Sequence, residues 1–279
     1  MQLQMNILRN FLNLCLEEDY GIAGDITSFA TIEEHKQVDF SINAREELVL
    51  SGMPIAEHYL SNYSTVKYKS YVKDSDVVKA GSVILSGKGG SREILLLERV
   101  MLNFLQHMSG ISTLTSKYVK KVERTGVRIC DTRKTTPMLR KLQKYAVVCG
   151  GGFNHRLALD SSILIKDNHI AICGGIKLAL QAAKRNNPHY AKIEIECDTI
   201  EQVKDAVDEG VDIIMLDNMS IEQITSAIKI IDNRALVEVS GGVNLDTVEA
   251  IAKTGVDLIS TSKLTAGAAA VDIGLDING

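Results

Sequence analysis

The densest concentration of chemistry-bearing side chains lies between Asp131 and His169. Seven cations, Arg133, Lys134, Arg140, Lys141, Lys144, Arg156 and Lys166, stand there against three acids, Asp131, Asp160 and Asp167. That local charge of +4 belongs to a chain of formal charge −4, so the remaining residues carry −8. Three consecutive glycines, Gly150 to Gly152, and two histidines, His155 and His169, interleave with the cations. Concentrated positive charge beside a pliant backbone suits a small ligand with several negative charges. Arginine forks match carboxylates with paired hydrogen bonds, whereas Lys134 and Lys166 act as point charges. A solvated basic helix is the competing reading for Arg140, Lys141 and Lys144. It fits Arg133, Arg156 and Lys166 poorly, because each adjoins an apolar run or a turn.

Acids that answer these cations stand further along. In the run KIEIE, Glu194 and Glu196 share strand parity and face one side, with Glu196 nearer the strand's end. Asp217 ends the next apolar run, DIIMLD. Carboxylates at neighbouring strand ends can hold ribose hydroxyls, or a hydrated Mg²⁺ that bridges phosphate oxygens. A core acid paired with an inward lysine is the alternative. A paired-carboxylate glycosidase would need one acid neutral, and the surrounding cations keep both ionised. Ser240-Gly241-Gly242 and the turn from Ser260 through Ser262, Lys263 and Leu264 come after the last two strands, where barrels bind phosphate with main-chain N–H groups. No Walker A motif occurs, so nucleoside-triphosphate hydrolysis has no support. Together these groups describe a pocket with one end for a carboxylated ligand and another for a phosphosugar.

The elements that must position them form a serial pattern. Apolar runs end in polar residues at Asp131, Lys166, Glu196, Asp217, Ser240 and Ser260, with intervals from Lys166 onward of 30, 21, 23 and 20 residues. Strand, helix and two loops take about that length, which predicts βα repetition, a parallel sheet and helices near 176–186, 199–209, 220–232 and 245–254. A closed (β/α) barrel places function at the C-terminal strand ends, where these residues lie. A doubly wound sheet is the alternative, but no G-x-G-x-x-G follows a strand. Upstream, Ile7, Phe11 and Leu14 predict an amphipathic first helix. Val38–Leu50, Val66–Val72 and Ser82–Leu85 read as strands, the last closed by Gly87, Gly89 and Gly90. Ser91 opens a helix through Met108 whose stripe is Ile94, Leu97, Met101, Phe104, Leu105 and Met108. Its other face carries Leu95, Leu96 and Leu102 beside Arg99, so Arg99 belongs to a partly buried seam or snorkels to solvent. The expected division is an α/β sandwich domain at 1–110 and a barrel catalytic domain at 111–279.

Bulk properties narrow the class. With 279 residues, 45% hydrophobic content and mean hydropathy near zero, the chain can bury a large core. No run of 18 apolar residues exists, and Arg9, Asn10 and Asn13 interrupt the N-terminal apolar stretch, which argues against a membrane span or a signal peptide. A cytoplasmic enzyme is expected. Five cysteines without a C-x-x-C pair predict free thiols rather than a disulfide framework or zinc site. Net charge −4 argues against a nucleic-acid partner.

The segments DTRKTTP, KYAVVCGGGFNHR, LIKDNH, EIE, MLDN, VSGGV and LERVMLNFLQHMSGIST together resemble the quinolinate phosphoribosyltransferase (nicotinate-nucleotide pyrophosphorylase, decarboxylating) family, from GDITS at Gly24 to LDI at Leu275. The order TRKTTP, NHR, KDNH is highly specific. The resemblance implies an open-faced N-terminal α/β sandwich and a TIM-like barrel with fewer than eight regular strands. It implies transfer of the phosphoribosyl group of phosphoribosyl pyrophosphate to quinolinate, giving nicotinate mononucleotide, pyrophosphate and CO₂ with Mg²⁺, in NAD biosynthesis. It also implies a homodimer, with higher assembly in some members, whose pockets are shared between subunits. By motif, Arg133, Arg156 and Lys166 hold the quinolinate carboxylates, His155 lines the pocket, and Arg99 reaches in from the partner. Thr132 is a further substrate contact and Lys134 meets the phosphosugar. Glu196 and Asp217 hold ribose hydroxyls and the metal, through water or directly. Ser240, Gly241 and Gly242, with Ser262, Lys263 and Leu264, cradle the 5′-phosphate. Lys134, Lys166, Glu196 and Asp217 are the expected catalytic residues.

Two departures stand out. The family usually has a glycine two residues before the leucine and then Thr-His-Ser; this chain reads Ser262-Lys263-Leu264-Thr265-Ala266-Gly267. Met138 stands where glycine is common. Three rivals keep the cations. A paralogue of the molybdenum-operon type shares the fold and a TRKT-like motif but usually lacks the NHR and KDNH forms. A non-catalytic metabolite-binding member would not turn over. An aldolase-type lyase would need a Schiff-base lysine, for which Lys166 is available.

Overall fold

The structure is a computed structural model and describes residues 3–278. In chain order, helices α1 (Met5–Tyr20) and α2 (Ile26–Thr31) lead into strands β1 (Gln37–Ala44) and β2 (Leu48–Val49). Helix α3 (Met53–Tyr63), strands β3 (Lys67–Ser70), β4 (Val77–Val78) and β5 (Val83–Gly90), and the long helix α4 (Ser91–Val122) follow. Next come β6 (Arg128–Cys130), α5 (Arg140–Cys149), β7 (Ile163–Ile165), α6 (Asp167–Cys173) and α7 (Ile176–Asn186). Then β8 (Ile193–Cys197), α8 (Ile200–Glu209), β9 (Ile213–Asp217) and α9 (Ile221–Ile231) alternate. Strand β10 (Leu236–Ser240), helix α10 (Val248–Ala252), strand β11 (Leu258–Ser260), helix α11 (Lys263–Ala266) and strand β12 (Ile273–Asn278) complete the order. The chain forms two compact units, each interrupted in sequence. The first runs to Ser116 and takes in Lys141–Gly151 and the segment from Ala268; the second holds Lys117–Arg140 and Gly152–Gly267. Most of α5 and all of β12 thus belong to the first unit, although both lie after residue 110.

In the first unit an antiparallel sheet has the order β12-β1-β5-β3, beside the two-stranded pair β2-β4. Phe40, Ile42 and Ala44 alternate along β1 and are fully or nearly buried, as period-two patterning requires. The glycines expected to close the Ser82–Leu85 strand instead lie inside β5. A Cβ at Gly87 would sit 2.6 Å from the Phe40 ring, and one at Gly89 would sit 2.5 Å from Val66. Close approach, not a turn, is what those glycines provide. The stripe of α4 is buried as expected, but the helix does not stop at Met108. It runs through Ser109-Gly110, and a Cβ at Gly110 would collide with the Ala269 carbonyl oxygen. In α1 the buried residues are Leu8, Leu12 and Leu16, while Ile7 and Leu14 are more than half exposed. The buried Tyr59 hydroxyl donates to the Leu12 carbonyl at 2.8 Å, which fixes that face inward. Lys144 on α5 is fully buried and Lys141 exposed, so the basic helix is not one solvated face. All five cysteines are free; Cys130, Cys149 and Cys197 are buried, and Cys173 is exposed.

The second unit is a six-stranded parallel sheet in the order β6-β11-β10-β9-β8-β7. Strands β7 to β11 lie side by side in chain order, and β11 then pairs back with β6. That cyclic order is the winding of a barrel. On its other side β6 makes, among the described residues, a single parallel bridge, Cys130 with Phe153. The number of regular strands is therefore below eight, as expected. Helices begin directly after the strand ends: Thr199 opens α8 and Ser220 opens α9, each with a capping box closed by Gln202 or Gln223. Strand starts are tied as well. Asp212 accepts the Ile193 N–H and Asp257 the Val237 N–H, both at 2.8 Å. With both ends of the strands anchored, the polar residues at their C-terminal ends have fixed positions. No described helix is long and apolar enough to cross a membrane.

Candidate active site

Asp131, fully buried just after β6, organises the NHR segment. Its carboxylate accepts the His155 main-chain N–H at 2.9 Å and the Asn154 side-chain amide at 2.6 Å. Thr132 Oγ1 accepts the Lys134 N–H at 3.0 Å. Arg140 donates to Thr135 Oγ1 at 3.0 Å and to the Arg133 carbonyl at 3.3 Å, so it clamps the loop that carries Arg133. Met138 in this loop has φ +66, a left-handed conformation that explains why glycine suits the position.

A cavity of about 310 Å³ is lined by Thr132, Arg133, Lys134, His155, Arg156, Leu164, Lys166, Met215, Ser240 and Ser260. Arg156 Nη1 donates to the Ser162 carbonyl at 3.0 Å. The Nε–H groups of Arg133 and Arg156 are both buried without a hydrogen-bond partner among the described residues. A buried unpaired donor on a charged group is costly, so both positions call for an acceptor. Burial, then the neighbouring Arg133, push the Arg156 guanidinium below its ordinary value, while Glu194 acts in the opposite sense. The Lys166 ammonium donates to Glu196 at the next strand end.

A second cavity, of about 450 Å³, shares Thr132, Lys134, Ser240 and Ser260 with the first and adds Asp217, Asn218, Gly241 to Asn244 and Thr261 to Lys263. Gly241 has φ +82, and a Cβ there would collide with Asn218. The Asn218 N–H donates to the Ser240 carbonyl at 3.0 Å, and its amide donates to Asp217 at 2.6 Å. Across the turn, Thr265 Oγ1 donates to the Lys134 carbonyl at 2.8 Å, tying the two loops together. Lys263 is exposed, whereas the Leu264 side chain is fully buried in the core, which leaves only its main chain for a ligand.

Most sequence-expected residues of this unit therefore meet in two adjoining cavities. Glu196 lines neither but pairs with Lys166, which lines the first. Arg99 lies on α4 of the first unit, its side chain 56% exposed and 3.8 Å from Glu98. Three residues escaped the sequence reading. Asp198 stands with Glu196 and Asp217, their carboxylate oxygens within 4.8 Å of one another. Burial, then Asp217 and Asp167, push the Asp198 carboxyl upward. Asn218 locks the Ser240-Gly241-Gly242 turn. Glu238, 2% exposed, faces His155 beside Glu194. The parity that pairs Glu194 with Glu196 also pairs Glu238 with Ser240, and that was the available signal.

Family profiles described as the quinolinate phosphoribosyl transferase N-terminal and C-terminal domains match residues 25–109 and 111–276. A protein of Methanocaldococcus jannaschii named probable nicotinate-nucleotide pyrophosphorylase (carboxylating) is 42% identical, covering 95% of each chain. A Bacillus subtilis protein of the same name is 39% identical over 97% of this chain and 93% of its own length. The crystal structure of nicotinate-nucleotide pyrophosphorylase from Ehrlichia chaffeensis superposes with a TM-score of 0.94 at 44% identity, covering all of both chains. The chain belongs to the quinolinate phosphoribosyltransferase family.

Proposed function

We propose that this protein transfers the phosphoribosyl group of phosphoribosyl pyrophosphate to quinolinate, yielding nicotinate mononucleotide, pyrophosphate and CO₂ within NAD biosynthesis. The observation that carries the reading is the convergence of Arg133, Arg156 and Lys166 on one cavity, with two guanidinium Nε–H groups buried and unpartnered. A planar dicarboxylate supplies the acceptors those donors lack. The adjoining cavity, with its Ser-Gly-Gly turn and Asp217, suits the 5′-phosphate and ribose of the second substrate.

The residues divide the work by charge. Arg133, Arg156 and Lys166 orient the pyridine ring, and His155 lines its pocket. Lys134, which lines both cavities, meets the phosphosugar. Ser240 to Gly242 and Ser262 to Leu264 hold the 5′-phosphate, with Leu264 acting through its main chain. Glu196 and Asp217 take ribose hydroxyls and Mg²⁺. Their closely spaced oxygens, with Asp198 beside them, fit a hard cation that prefers oxygen ligands. When bound, Mg²⁺ supplies charge neutralisation for the leaving pyrophosphate.

The chemistry needs no protein nucleophile. The pyridine nitrogen lone pair forms the bond to the ribose anomeric carbon as that carbon's bond to pyrophosphate oxygen breaks. The electron pair of the broken bond leaves with pyrophosphate. The ring nitrogen is then positively charged, so when the C2–carboxylate bond breaks its electrons remain at C2 beside that charge. CO₂ departs, and a proton takes its place. The pocket contributes alignment, fixed charge and exclusion of water.

We further propose a cytoplasmic homodimer in which Arg99 of one subunit serves the pocket of the other; its exposure and weak pairing support this. Mass analysis of the product tests the function. Nicotinate mononucleotide should accumulate from quinolinate and phosphoribosyl pyrophosphate. A ribosylated product retaining both carboxylates would contradict the decarboxylating reaction. Borohydride trapping of Lys166 with a keto substrate would instead support the lyase reading.

A further inference from the structure

His155 lines the cationic cavity, and two buried acids behind its ring give that cavity an anionic floor one layer down. Glu194 on β8 and Glu238 on β10 have side chains only 3% and 2% exposed, and both face the His155 ring. Nε2 lies 3.2 Å from Glu194 Oε2 and 3.6 Å from Glu238 Oε1. The other ring nitrogen, Nδ1, accepts the Arg156 main-chain N–H at 2.7 Å. The accepting Nδ1 leaves Nε2–H as the ring's donor on the side of the two carboxylates. One N–H serves one carboxylate well, and Glu194 is the nearer. Glu238 Oε1 is left buried without a hydrogen-bond partner. Two ionised carboxylates side by side, with one donor between them, are unfavourable where water is excluded.

We propose that Glu238 holds a proton in the ligand-ready protein, limiting the cavity floor to one negative charge and so reserving the cations above for a dianionic pyridine dicarboxylate. The inference rests on the ligand assigned to this cavity under the proposed function. Glu238 acts through the floor and not by touching the ligand, which makes it a positioning residue that sets selectivity for charge.

The surroundings of Glu238 agree. Burial first, and then Glu194, raise its carboxyl to about 7; His155, Ser260 and Lys166 act in the opposite sense. These groups face it from β8, from the NHR loop, from β11 and from the end of β7. Arg156 lies beyond them, with Glu194 and Arg133 as its charged neighbours.

The sign follows from linkage. Above about pH 7 the proton leaves, the floor gains a charge and the dianion binds less well; binding the dianion draws the proton back. Both quinolinate carboxyls are ionised throughout this range, so the dependence belongs to the protein. For a single linked proton, affinity should fall about fivefold between pH 7 and pH 8.

The test has a ligand-free arm and a ligand arm. With ¹³C-labelled glutamate carboxyls, one resonance should titrate near neutrality in the ligand-free protein and disappear in Glu238→Gln. Glu238→Gln should also bind quinolinate with an affinity flat from about pH 6.5 to 8.5. Calorimetry of the wild-type protein in two buffers of different ionisation heat provides a readout independent of that variant's folding. Uptake should approach one proton per site at about pH 8. All carboxyls titrating below about pH 5, no proton uptake on binding, or a Glu238→Gln profile like wild type would overturn the inference. Absence of quinolinate binding at every pH would instead sink the ligand assignment, and the ligand-free titration would then decide the proton alone.

Discussion

Lys166, at the end of β7, donates its ammonium to the Glu196 carboxylate at the end of β8. A cation of the proposed carboxylate cavity is thereby tied to an acid of the proposed ribose and metal site, and the two ends of the proposed pocket share this pair. Glu196 is the more buried partner, with its side chain 11% exposed against 43% for Lys166.

Removing the acid should separate the two ends. Glu196→Ala and Asp217→Ala should each raise the KM for phosphoribosyl pyrophosphate about tenfold or more, the loss of charge-assisted contacts worth roughly 1.5–3 kcal/mol. Both should also raise the Mg²⁺ requirement. Quinolinate affinity measured without the sugar should stay near wild type in Asp217→Ala. In Glu196→Ala it should hold or improve, because Lys166 is released. Calorimetry showing equal losses for both substrates would refute the division.

Gly241 and Gly242 offer a graded test of the proposed phosphate-side turn. Both have positive φ, but only at Gly241 would a Cβ meet Asn218. Gly241→Ala combines strain with that collision and should cost about 1–3 kcal/mol in the turn. Its KM for phosphoribosyl pyrophosphate should rise roughly tenfold or more. Gly242→Ala, with open space around its Cβ, should be the milder change in steady-state kinetics. The reverse ranking would mean that the turn is not held by Asn218.

The proposal for Arg99 predicts complementation between subunits. Arg99→Ala and Lys166→Ala should each be nearly inactive, since each leaves a ligand carboxylate short of a partner. Co-expressed equally, they form mixed dimers in which one pocket carries both defects and the other none. Activity should recover to about a quarter of wild type, from the two-fold symmetry of random pairing. A mixed dimer purified with two different tags that remains inactive would rule out the shared pocket.

Much of the second unit was legible in the chain because its signals are local. Strand-end residues such as Glu196, Asp217 and Ser240 follow short apolar runs, and capping residues such as Thr199 and Ser220 mark where helices begin. The continuation of α4 past Gly110 was not legible, because the reason for that glycine is the Ala269 carbonyl, more than 150 residues away. The same holds for β12, whose pairing with β1 joins the two ends of the chain. The glycines of β5 read as a turn because sequence carries no trace of the Phe40 ring beside Gly87 or of Val66 beside Gly89. Glu238 was missed for a related reason. Only the neighbouring strands bring it to His155 and Glu194.

The measurement closest to the proposed chemistry compares two acids that differ by one carboxylate. With phosphoribosyl pyrophosphate and Mg²⁺, quinolinate labelled at the 2-carboxylate should release one labelled CO₂ for each pyrophosphate formed. Nicotinate should react at least roughly a hundredfold less efficiently, because it leaves a buried cation of the Arg133, Arg156 and Lys166 set unpaired. Equal turnover of nicotinate, or pyrophosphate release from quinolinate without labelled CO₂, would contradict the assignment.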